Sequence, residues 1–587
     1  SMPFNARTAI LVKQATNANK SKPKKVITTS NVSGKSNFAA NVAPKTSLLH
    51  GGMGVSAAFN SHISFSMEAS TETVVTCRDE DKIKFTAFVS DKNAWNAIQY
   101  VSEGSEVKFG ENKYLVTGRI DPEKLEDLAK NDFVHNIQVA REFTTCATLS
   151  TIQKDVELQQ IEEFLSDLPE EEKKGNGVVI GIIDDGADFN HANFKNDDGT
   201  SRIEFIWDQI YSEKIHSKDV KYGRLITKKE IDDVLASNSG GECYSMLGYD
   251  PGTNSHGTHV MDIAAGKDGV SPKSSIIFVD IPWKTTIVKS ADNSEKVERE
   301  SLASSKEVID ALQFIFDKAG DRPCVVNLSI GEPTGPHDGS SDVELTIEAK
   351  VREKLNRAVV VAAGNFRHKK LHKSGKVIEK KSTIIKWIAD PPPKSDKFDT
   401  IEIWYSENDD FDVEISFGDS SYVIELGEEM VEIADEDDTI ICTAGHTINE
   451  DNGDKQIYIS RKPKNKEIWE IALTGNRVQD GEYHAYIELH GQNSISSIDE
   501  PTMDCTLSSI ATGISSIAVG CYREGARTNL SYFSSYGPTR TGLWKPELSA
   551  LGDEVFAAGS KSKERTKYSG TSQSAPVITG IIARLLS

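Results

Sequence analysis

The sequence lacks the patterns that would assign it to several common protein classes. None of its apolar runs approaches the roughly 18 consecutive residues of a membrane-spanning helix, and no internal repeat recurs along its 587 residues. Its seven cysteines, at positions 77, 146, 243, 324, 442, 505 and 521, form no CxxC pair and no Cys/His cluster. An odd number of scattered cysteines predicts free thiols in a reducing compartment, with neither a disulfide framework nor a zinc site.

Acidic residues are absent from the first 67 residues, which contain eight Lys or Arg. The whole chain nevertheless has a net charge of -22, which argues against non-specific binding to nucleic acid. No charged segment leads into an apolar one, so we predict no Sec signal peptide and favour a cytoplasmic location. The basic leader is predicted to be a disordered, solvated tail, and an organelle transit peptide is the alternative.

Three regions differ in their secondary-structure pattern. Residues 80–142 follow the order βαββαβ, which predicts a ferredoxin-like unit. From residue 177, short apolar strands alternate with helices, which predicts an α/β domain with a parallel sheet covered on both faces. Between residues 378 and 500, eight short strands follow one another without a helix. They predict an inserted all-β sandwich of jelly-roll type.

Three polar residues occupy the positions where open α/β sheets bind ligands. Asp184 ends an apolar strand, His256 opens a predicted helix, and Ser572 begins the last helix. A serine hydroxyl becomes a good nucleophile when an imidazole takes its proton, and a buried carboxylate holds that imidazole in the required tautomer. Taken singly, each residue also fits a structural role, for example as a helix cap. His256 and His259 lack the intervening Glu of an HExxH zinc site, so we predict no metal there.

Together, in the order Asp–His–Ser, the segments resemble the subtilisin-like serine peptidases. Five family motifs match Asp184-Asp185-Gly186, His256-Gly-Thr-His-Val260, Asn327-Leu-Ser-Ile-Gly331, Ala362-Ala-Gly-Asn365 and Gly570-Thr-Ser-Gln-Ser-Ala-Pro576. An insertion before the histidine (201–235) and the long interval between the asparagine and serine motifs make the layout most similar to the clostridial spore-germination subtilases and their bacterial relatives. Those relatives carry a jelly roll in that interval.

The resemblance implies a serine endopeptidase that cleaves peptide bonds through an acyl-enzyme. In that reading Asp184 orients the base, and His256 acts as general base and then as general acid. Ser572 is the nucleophile, and Asn365 holds the oxyanion together with the Ser572 backbone N–H. His259 is expected to be structural.

The resemblance also makes Ser329, Ile330 and Gly331 the strand that pairs with substrate. We add Asp185 and Glu332, which adjoin these motifs, as acidic contacts that would favour Lys or Arg in the substrate. The alternative for these two carboxylates is exposure to solvent, where such ion pairs contribute little.

The chain is accordingly divided into five segments. These are a disordered basic leader (1–67), a propeptide or inhibitor-like domain (68–150), a first catalytic segment (151–377), the inserted sandwich (378–500) and a second catalytic segment (501–587). The last segment ends early in the helix after the serine motif, so we expect its C-terminal part to be missing. The propeptide implies a zymogen that cleaves itself between about Thr145 and Thr151, with protein or peptide substrates and its own propeptide as partners.

Several alternatives remain open at this stage. A pseudoprotease that uses the scaffold for binding competes with the enzyme, and a specialised leader-peptide protease would share the mechanism. The sandwich either restricts access or binds a partner, or it is a stabilising insertion. No cofactor is expected, although calcium is common in the family; we can map no calcium site on the sequence.

Overall fold

The computed structural model describes residues 4–21, 82–146, 148–149, 174–210, 218–237, 240–289, 295–301, 303–391, 398–435, 439–489, 496–523 and 530–587. None of the helices in these ranges is long and apolar enough to cross a membrane. The six cysteines in these ranges are buried thiols outside any disulfide, in agreement with the predicted free thiols. Cys77 lies outside the described residues.

The first element is a helix, α1 (Ala6–Ser21), within the leader. The predicted disorder of residues 1–67 is therefore wrong for this segment. Ala6 and Ile10, one helical turn apart, are fully buried in a cluster with Tyr458. Phe4, which precedes the helix, and Val12 within it join the core of residues 83–139. Contacts with residues that are distant in the sequence stabilise this helix, and the local composition does not reveal such contacts.

The next region has the predicted element order and forms a four-stranded antiparallel sheet. Its elements are β1 (Ile83–Val89), α2 (Lys92–Asn96), β2 (Glu106–Lys108), β3 (Tyr114–Ile120), α3 (Pro122–Ala129) and β4 (Val134–Val139). The strand order is β2-β3-β1-β4. Pro122 sits in the first turn of α3, where its missing N–H has no intrahelical partner to lose. Two short strands follow, β5 (Thr144–Thr145) and β6 (Thr148–Leu149).

Alternating strands and helices then build the central layer. The strands are β7 (Val179–Asp184), β8 (Ile203–Asp208), β9 (Arg224–Thr227), β10 (Ser275–Asp280), β11 (Trp283–Lys289), β12 (Glu295–Ser301), β13 (Cys324–Leu328), β14 (Ile330–Gly331) and β15 (Arg357–Ala362). The helices are α4 (Lys228–Ala236), α5 (Cys243–Leu247), α6 (His256–Ala265), α7 (Ser305–Ala319) and α8 (Asp342–Glu353), with short 3-10 turns at Ala192–Phe194 and Gly240–Glu242.

All but one of the eleven strands in the next region lie between residues 378 and 500. They are β16 (His372–Lys376), β17 (Ser382–Ala389), β18 (Asp399–Tyr405), β19 (Asp410–Phe417), β20 (Ser420–Ile424), β21 (Glu428–Ala434), β22 (Ile440–Ile448), β23 (Lys455–Arg461), β24 (Glu467–Arg477), β25 (Glu482–Ile487) and β26 (Ser496–Ile498). They form two antiparallel sheets, β16-β25-β18-β23-β22-β21 and β20-β19-β24-β17-β26. The eight predicted strands are all present. Strands β16, β21 and β26 were not predicted, and β16 moves the start of the insertion from residue 378 to about 372.

The chain then returns to the central layer with β27 (Ile517–Arg523), β28 (Leu548–Asp553), β29 (Val555–Ala558), β30 (Arg565–Ser569) and α9 (Thr571–Leu586). The central sheet has the order β28-β27-β15-β13-β7-β10-β8-β9, and only β9 is antiparallel to its neighbour. Along β7, Ile180 and Ile182 join one core cluster while Val179 and Ile183 join the other. The strand is apolar up to its last residue, Asp184, because both of its faces are buried.

The contacts of α1 predict that its docking depends on its buried face. Replacing Ile10 by Asp places a carboxylate in an apolar contact, where an unpaired charge is strongly unfavourable. We expect fast amide hydrogen exchange across Ala6–Ser21 in Ile10→Asp. The control Asn17→Asp changes an exposed position of the same helix and should retain the protection of the parent. Equal exchange in the two variants would contradict the docked helix.

Candidate active site

The aspartate and the histidine come from adjoining elements of the central layer. Asp184 is the last residue of β7 and is fully buried. His256 is the first residue of α6, and its Nδ1 lies 2.8 Å from Asp184 Oδ1. A carboxylate accepts from an N–H, so this contact assigns the ring proton to Nδ1 and leaves Nε2 able to accept a proton. Burial raises the pKa of Asp184 above its usual range, and the charge that His256 can carry acts in the opposite direction.

Asp185 supports the helix that carries the histidine. Its side chain is buried, and its Oδ1 accepts the backbone N–H of Gly257 at 3.0 Å. The same N–H also donates to the backbone oxygen of Asp185 at 2.8 Å, so Asp185 caps the first turn of the helix, and its carboxylate complements the helix dipole. The carboxylate of Asp185 is thus engaged with the helix backbone, and its predicted contact with substrate stays a prediction.

The serine and the asparagine meet at the start of α9. Ser572 is the second residue of this helix, and its Oγ donates to the backbone oxygen of Ser329 at 2.8 Å. Asn365 lies three residues after β15, and its Oδ1 accepts both the N–H and the hydroxyl of Thr571 at 3.0 Å. These two contacts fix which way the Asn365 amide is turned, because only its oxygen can accept. The donor Nδ2 therefore points away from Thr571.

The backbone oxygen of Cys146 lies between the two expected oxyanion donors. Asn365 Nδ2 donates to it at 2.6 Å, and the Ser572 N–H donates to it at 3.2 Å. Two N–H groups directed at one peptide oxygen would stabilise the negative charge that develops there when a nucleophile adds to the carbonyl carbon. The two groups named from the sequence as oxyanion donors meet at this oxygen, and the sequence did not identify which carbonyl they bind.

The backbone on both sides of Cys146 is paired as a strand. Before it, β5 runs antiparallel to β14, and the Cys146 N–H donates to Ser329 O at 3.3 Å. After it, β6 runs antiparallel to β30, where Tyr568 and Ser569 lie opposite Leu149 and Thr148. Ser329, Ile330 and Gly331, predicted to pair with substrate, thus pair with the chain's own residues 144–146.

A glycine limits the space beside the Cys146 side chain. A Cβ on Gly331 would lie 2.4 Å from Ser508 Oγ and 3.1 Å from Cys146 Sγ, which is too close for an unstrained contact. Cys146 is itself buried, and burial raises the pKa of its thiol to about 12. The residue that supplies this carbonyl, Cys146, therefore has a small, uncharged side chain in a confined space.

Glu332 follows β14 and does face a cation, but the cation belongs to the same chain. Its Oε1 lies 3.4 Å from Arg141 Nη1. Its side chain is buried, so the alternative of a solvent-facing carboxylate is wrong. Burial raises the pKa of Glu332 to about 8, and Arg141 acts in the opposite direction.

His259 has the structural role that was expected. It is fully buried, and its Nε2 lies 3.1 Å from Val555 O and 3.0 Å from Thr566 O on the hairpin that precedes α9. Burial lowers the pKa of His259 to about 3, so the ring is neutral at pH 7. Tyr568 packs edge-on against both His259 and His256. His259 therefore ties α6 to the hairpin that leads to Ser572.

Two residues of the site were not predicted. One is Cys146, whose backbone carbonyl carries no side-chain signal; only the pairing of β5 and β6 identifies it. The other is Gln573, whose Nε2 lies 3.5 Å from His256 Nε2. Within the described ranges, Asp184, Asp185 and His256 form one group with the spacing of metal ligands. Their mutual and helix-capping hydrogen bonds account for this proximity.

The environment of His259 predicts a pH-dependent loss of stability. Its pKa is lowered from 6.5 to about 3 in the folded chain, so the stabilisation is complete above pH 6.5 and falls as the pH drops from 6.5 towards 3. At pH 5 this amounts to about 2 kcal/mol. His259→Gln keeps a donor at the Nε2 position and cannot titrate. In urea unfolding, we expect the parent to lose about 2 kcal/mol more than His259→Gln between pH 7 and pH 5. Equal losses would contradict the buried neutral ring.

The chain is similar to known proteins over more than half of its length. The Subtilase family (Peptidase S8) matches residues 175–389 and 415–587. The solved structure of the Clostridium perfringens CspB protease is 26% identical, with a TM-score of 0.58, and the match covers 72% of this chain and 84% of that chain. The subtilisin-like protease PopC of Myxococcus xanthus is 29% identical over 204 residues, which are 33% of this chain and span 34% of PopC. Since the family match covers more than half of the chain, the chain belongs to the subtilase family.

Proposed function

We propose that the protein is a serine endopeptidase that is made as a zymogen and cleaves its own Cys146–Ala147 bond. The observation that carries this proposal is the Cys146 carbonyl oxygen held by Asn365 Nδ2 and the Ser572 N–H. The strands β5 and β6, before and after this carbonyl, pair with β14 and β30 as an extended substrate pairs with a protease. The cleavage position lies within the interval 145–151 expected from the sequence.

In the first step, Ser572 Oγ adds to the carbonyl carbon of Cys146 and its proton passes to His256 Nε2. Asp184 keeps the other ring proton on Nδ1 and stabilises the imidazolium, because its Oδ1 accepts that N–H at 2.8 Å. The Cys146 oxygen becomes negative between its two donors. For this step the Ser572 hydroxyl turns from Ser329 O towards the imidazole.

In the second step, the C–N bond breaks and His256 gives its proton to the amine of Ala147. Cys146 is then an ester on Ser572 Oγ. A water molecule adds to this ester while His256 takes one of its protons, and the serine leaves with that proton. The products are a carboxylate at Cys146 and a regenerated serine hydroxyl. Every proton in this scheme passes through His256 Nε2.

The four-stranded unit of residues 83–139 fits the role of an inhibitory propeptide. It packs on α7 through polar contacts: the half-buried Lys84 has its Nζ 3.0 Å from Glu307 Oε2, and the buried Thr117 Oγ1 donates to Asp310 Oδ1 at 2.5 Å. Two positively charged neighbours, Lys84 and Lys306, help to lower the pKa of Glu307 to about 2, against the effect of its burial. This interface supports a unit that stays docked and delivers residues 141–146 into the cleft.

A pseudoprotease that only binds peptides remains the competing function, and self-cleavage separates the two. We expect purified parent protein to consist of fragments 1–146 and 147–587, whereas Ser572→Ala stays as one chain. Ser574→Ala is the matched control, since Ser574 is buried in the same helix and donates to Ala550 O. Mass spectrometry should place the cut after Cys146. An intact parent that does not react with a fluorophosphonate would support the binding protein instead.

The oxyanion contact makes a quantitative prediction. Asn365→Ala removes the Nδ2 donor and should slow self-cleavage by roughly 10²–10³-fold, because donors of this kind act mainly on the transition state. Asn408→Ala, at an exposed position of the inserted region, serves as the control and should process at the parental rate. The time course of chain splitting after refolding measures both rates. A rate for Asn365→Ala within a few-fold of the parent would contradict the assignment.

A further inference from the structure

The extended segment that enters the cleft is bound well before the cleaved bond. The Phe143 N–H donates to Ala303 O at 2.9 Å, and the Ser305 N–H donates to Arg141 O at 2.7 Å. The segment therefore lies between residues 303–305 on one side and β14 on the other. Its side chains alternate as in a strand: Arg141 and Phe143 are buried, and Glu142 between them is exposed. Arg141 is the sixth residue before the Cys146–Ala147 bond, counting Cys146 as the first.

Arg141 makes a two-pronged contact with a carboxylate of the inserted region. Its Nη1 and Nη2 lie 2.7 Å and 3.2 Å from the two oxygens of Glu402, which belongs to β18. Its Nη1 also lies 3.4 Å from Glu332 Oε1 and 3.4 Å from Thr334 Oγ1. A planar guanidinium fits such a pair of oxygens better than the point charge of lysine does.

The two carboxylates are held in place by residues outside the proposed propeptide. Trp404 Nε1 donates to Glu402 Oε2 at 3.1 Å, and Gln456 Nε2 lies 3.3 Å from the same oxygen. The Ser509 hydroxyl donates to Glu332 Oε1 at 3.4 Å. The residues Glu332 and Glu402 are at most 4% exposed with Arg141 in place. When Arg141 leaves, two oriented acidic groups remain in a partly dry pocket, and such groups favour a cation.

A second cation lies beside the same pocket but acts differently. Arg7 of α1 has its Nε 3.6 Å from Glu402 Oε1, and its Nη1 donates to Val139 O at 2.6 Å. Arg141 and Arg7 together lower the pKa of Glu402 below its usual range despite its burial. Arg7 thus contacts the edge of the pocket and the backbone before Arg141, whereas Arg141 fills the space between Glu332 and Glu402.

We propose that Glu332 and Glu402 form a subsite for an arginine side chain at the sixth position before the bond that the enzyme cleaves. This inference rests on the proposed peptidase function. The central layer supplies Glu332 and the inserted region supplies Glu402, so the insertion contributes to substrate selectivity. The substrate class is an extended peptide with arginine at this position and a small side chain next to the cleaved bond.

The test uses the processed parent protein, freed of its 1–146 fragment so that the cleft and the pocket are open, and two quenched fluorescent peptides. One has the sequence of residues 141–149, and the other carries citrulline in place of its arginine, which keeps the shape and removes the charge. We expect kcat/KM to be roughly 10-fold or more higher for the arginine peptide, as for loss of a hydrogen bond to a charged group. Glu402→Gln should reduce this preference to about 2-fold or less. Glu414→Gln, which changes an exposed residue of the other inserted sheet, should keep the parental preference.

The outcomes distinguish a failure of the subsite proposal from a failure of the proposed peptidase function. Equal kcat/KM for the two peptides with the parent enzyme overturns the subsite and leaves the peptidase function intact. A preference that persists unchanged in Glu402→Gln also overturns it. If neither peptide is cleaved, the result contradicts the proposed function and overturns the subsite as well. If Glu402→Gln does not fold, the parental preference and the self-cleavage rates of Arg141→Lys and Arg141→Gln decide the matter. Slower self-cleavage in Arg141→Gln, partly restored in Arg141→Lys, supports the subsite. Self-cleavage at the parental rate in both variants overturns it.

Discussion

The Cys146 carbonyl oxygen, held at 2.6 Å by Asn365 Nδ2 and at 3.2 Å by the Ser572 N–H, is the contact on which the remaining arrangement depends. One donor follows a strand of the central sheet, and the other begins the helix that packs on it. They meet because Asn365 Oδ1 accepts from Thr571, which is the residue before Ser572. A shift of either element would move a donor away from the oxygen and would also disturb the strand pairing of β5 and β6.

The long insertion leaves this contact intact because its two ends lie close together at the central sheet. Strands β15 and β27 flank the insertion in the sequence and are parallel neighbours in the sheet, with Val360 opposite Ile517. The Ser508 N–H donates to Ala363 O at 2.7 Å, which closes the base of the insertion. The two inserted sheets are therefore added to the catalytic layer without separating Asn365 from Ser572. Their position also brings Glu402 to the cleft.

Much of the fold was predictable from the sequence for local reasons. The apolar run of Val179–Asp184 is buried on both faces, and the alternating pattern of strands such as Asp410–Phe417 matches a sheet with one buried face. The strand Glu428–Ala434 was missed because it is acidic, mostly half-buried and at the edge of its sheet. The helix Ala6–Ser21 was missed because its stability comes from distant contacts. The jelly-roll class of the insertion and the boundaries of the propeptide stay predictions.

The sequence by itself determined the types and the order of the site residues: an aspartate ending a strand, histidine and serine at helix starts, and an asparagine after a strand. These follow from local periodicity and from motifs of a few residues. Only the tertiary structure decided that Asp185 caps the helix of His256, that Cys146 supplies the bound carbonyl, and that Arg141 reaches Glu332 and Glu402. Those contacts join residues 72, 191, 219 and 261 positions apart. Local patterns cannot specify them, because the partners become neighbours only when separate layers of the fold pack together.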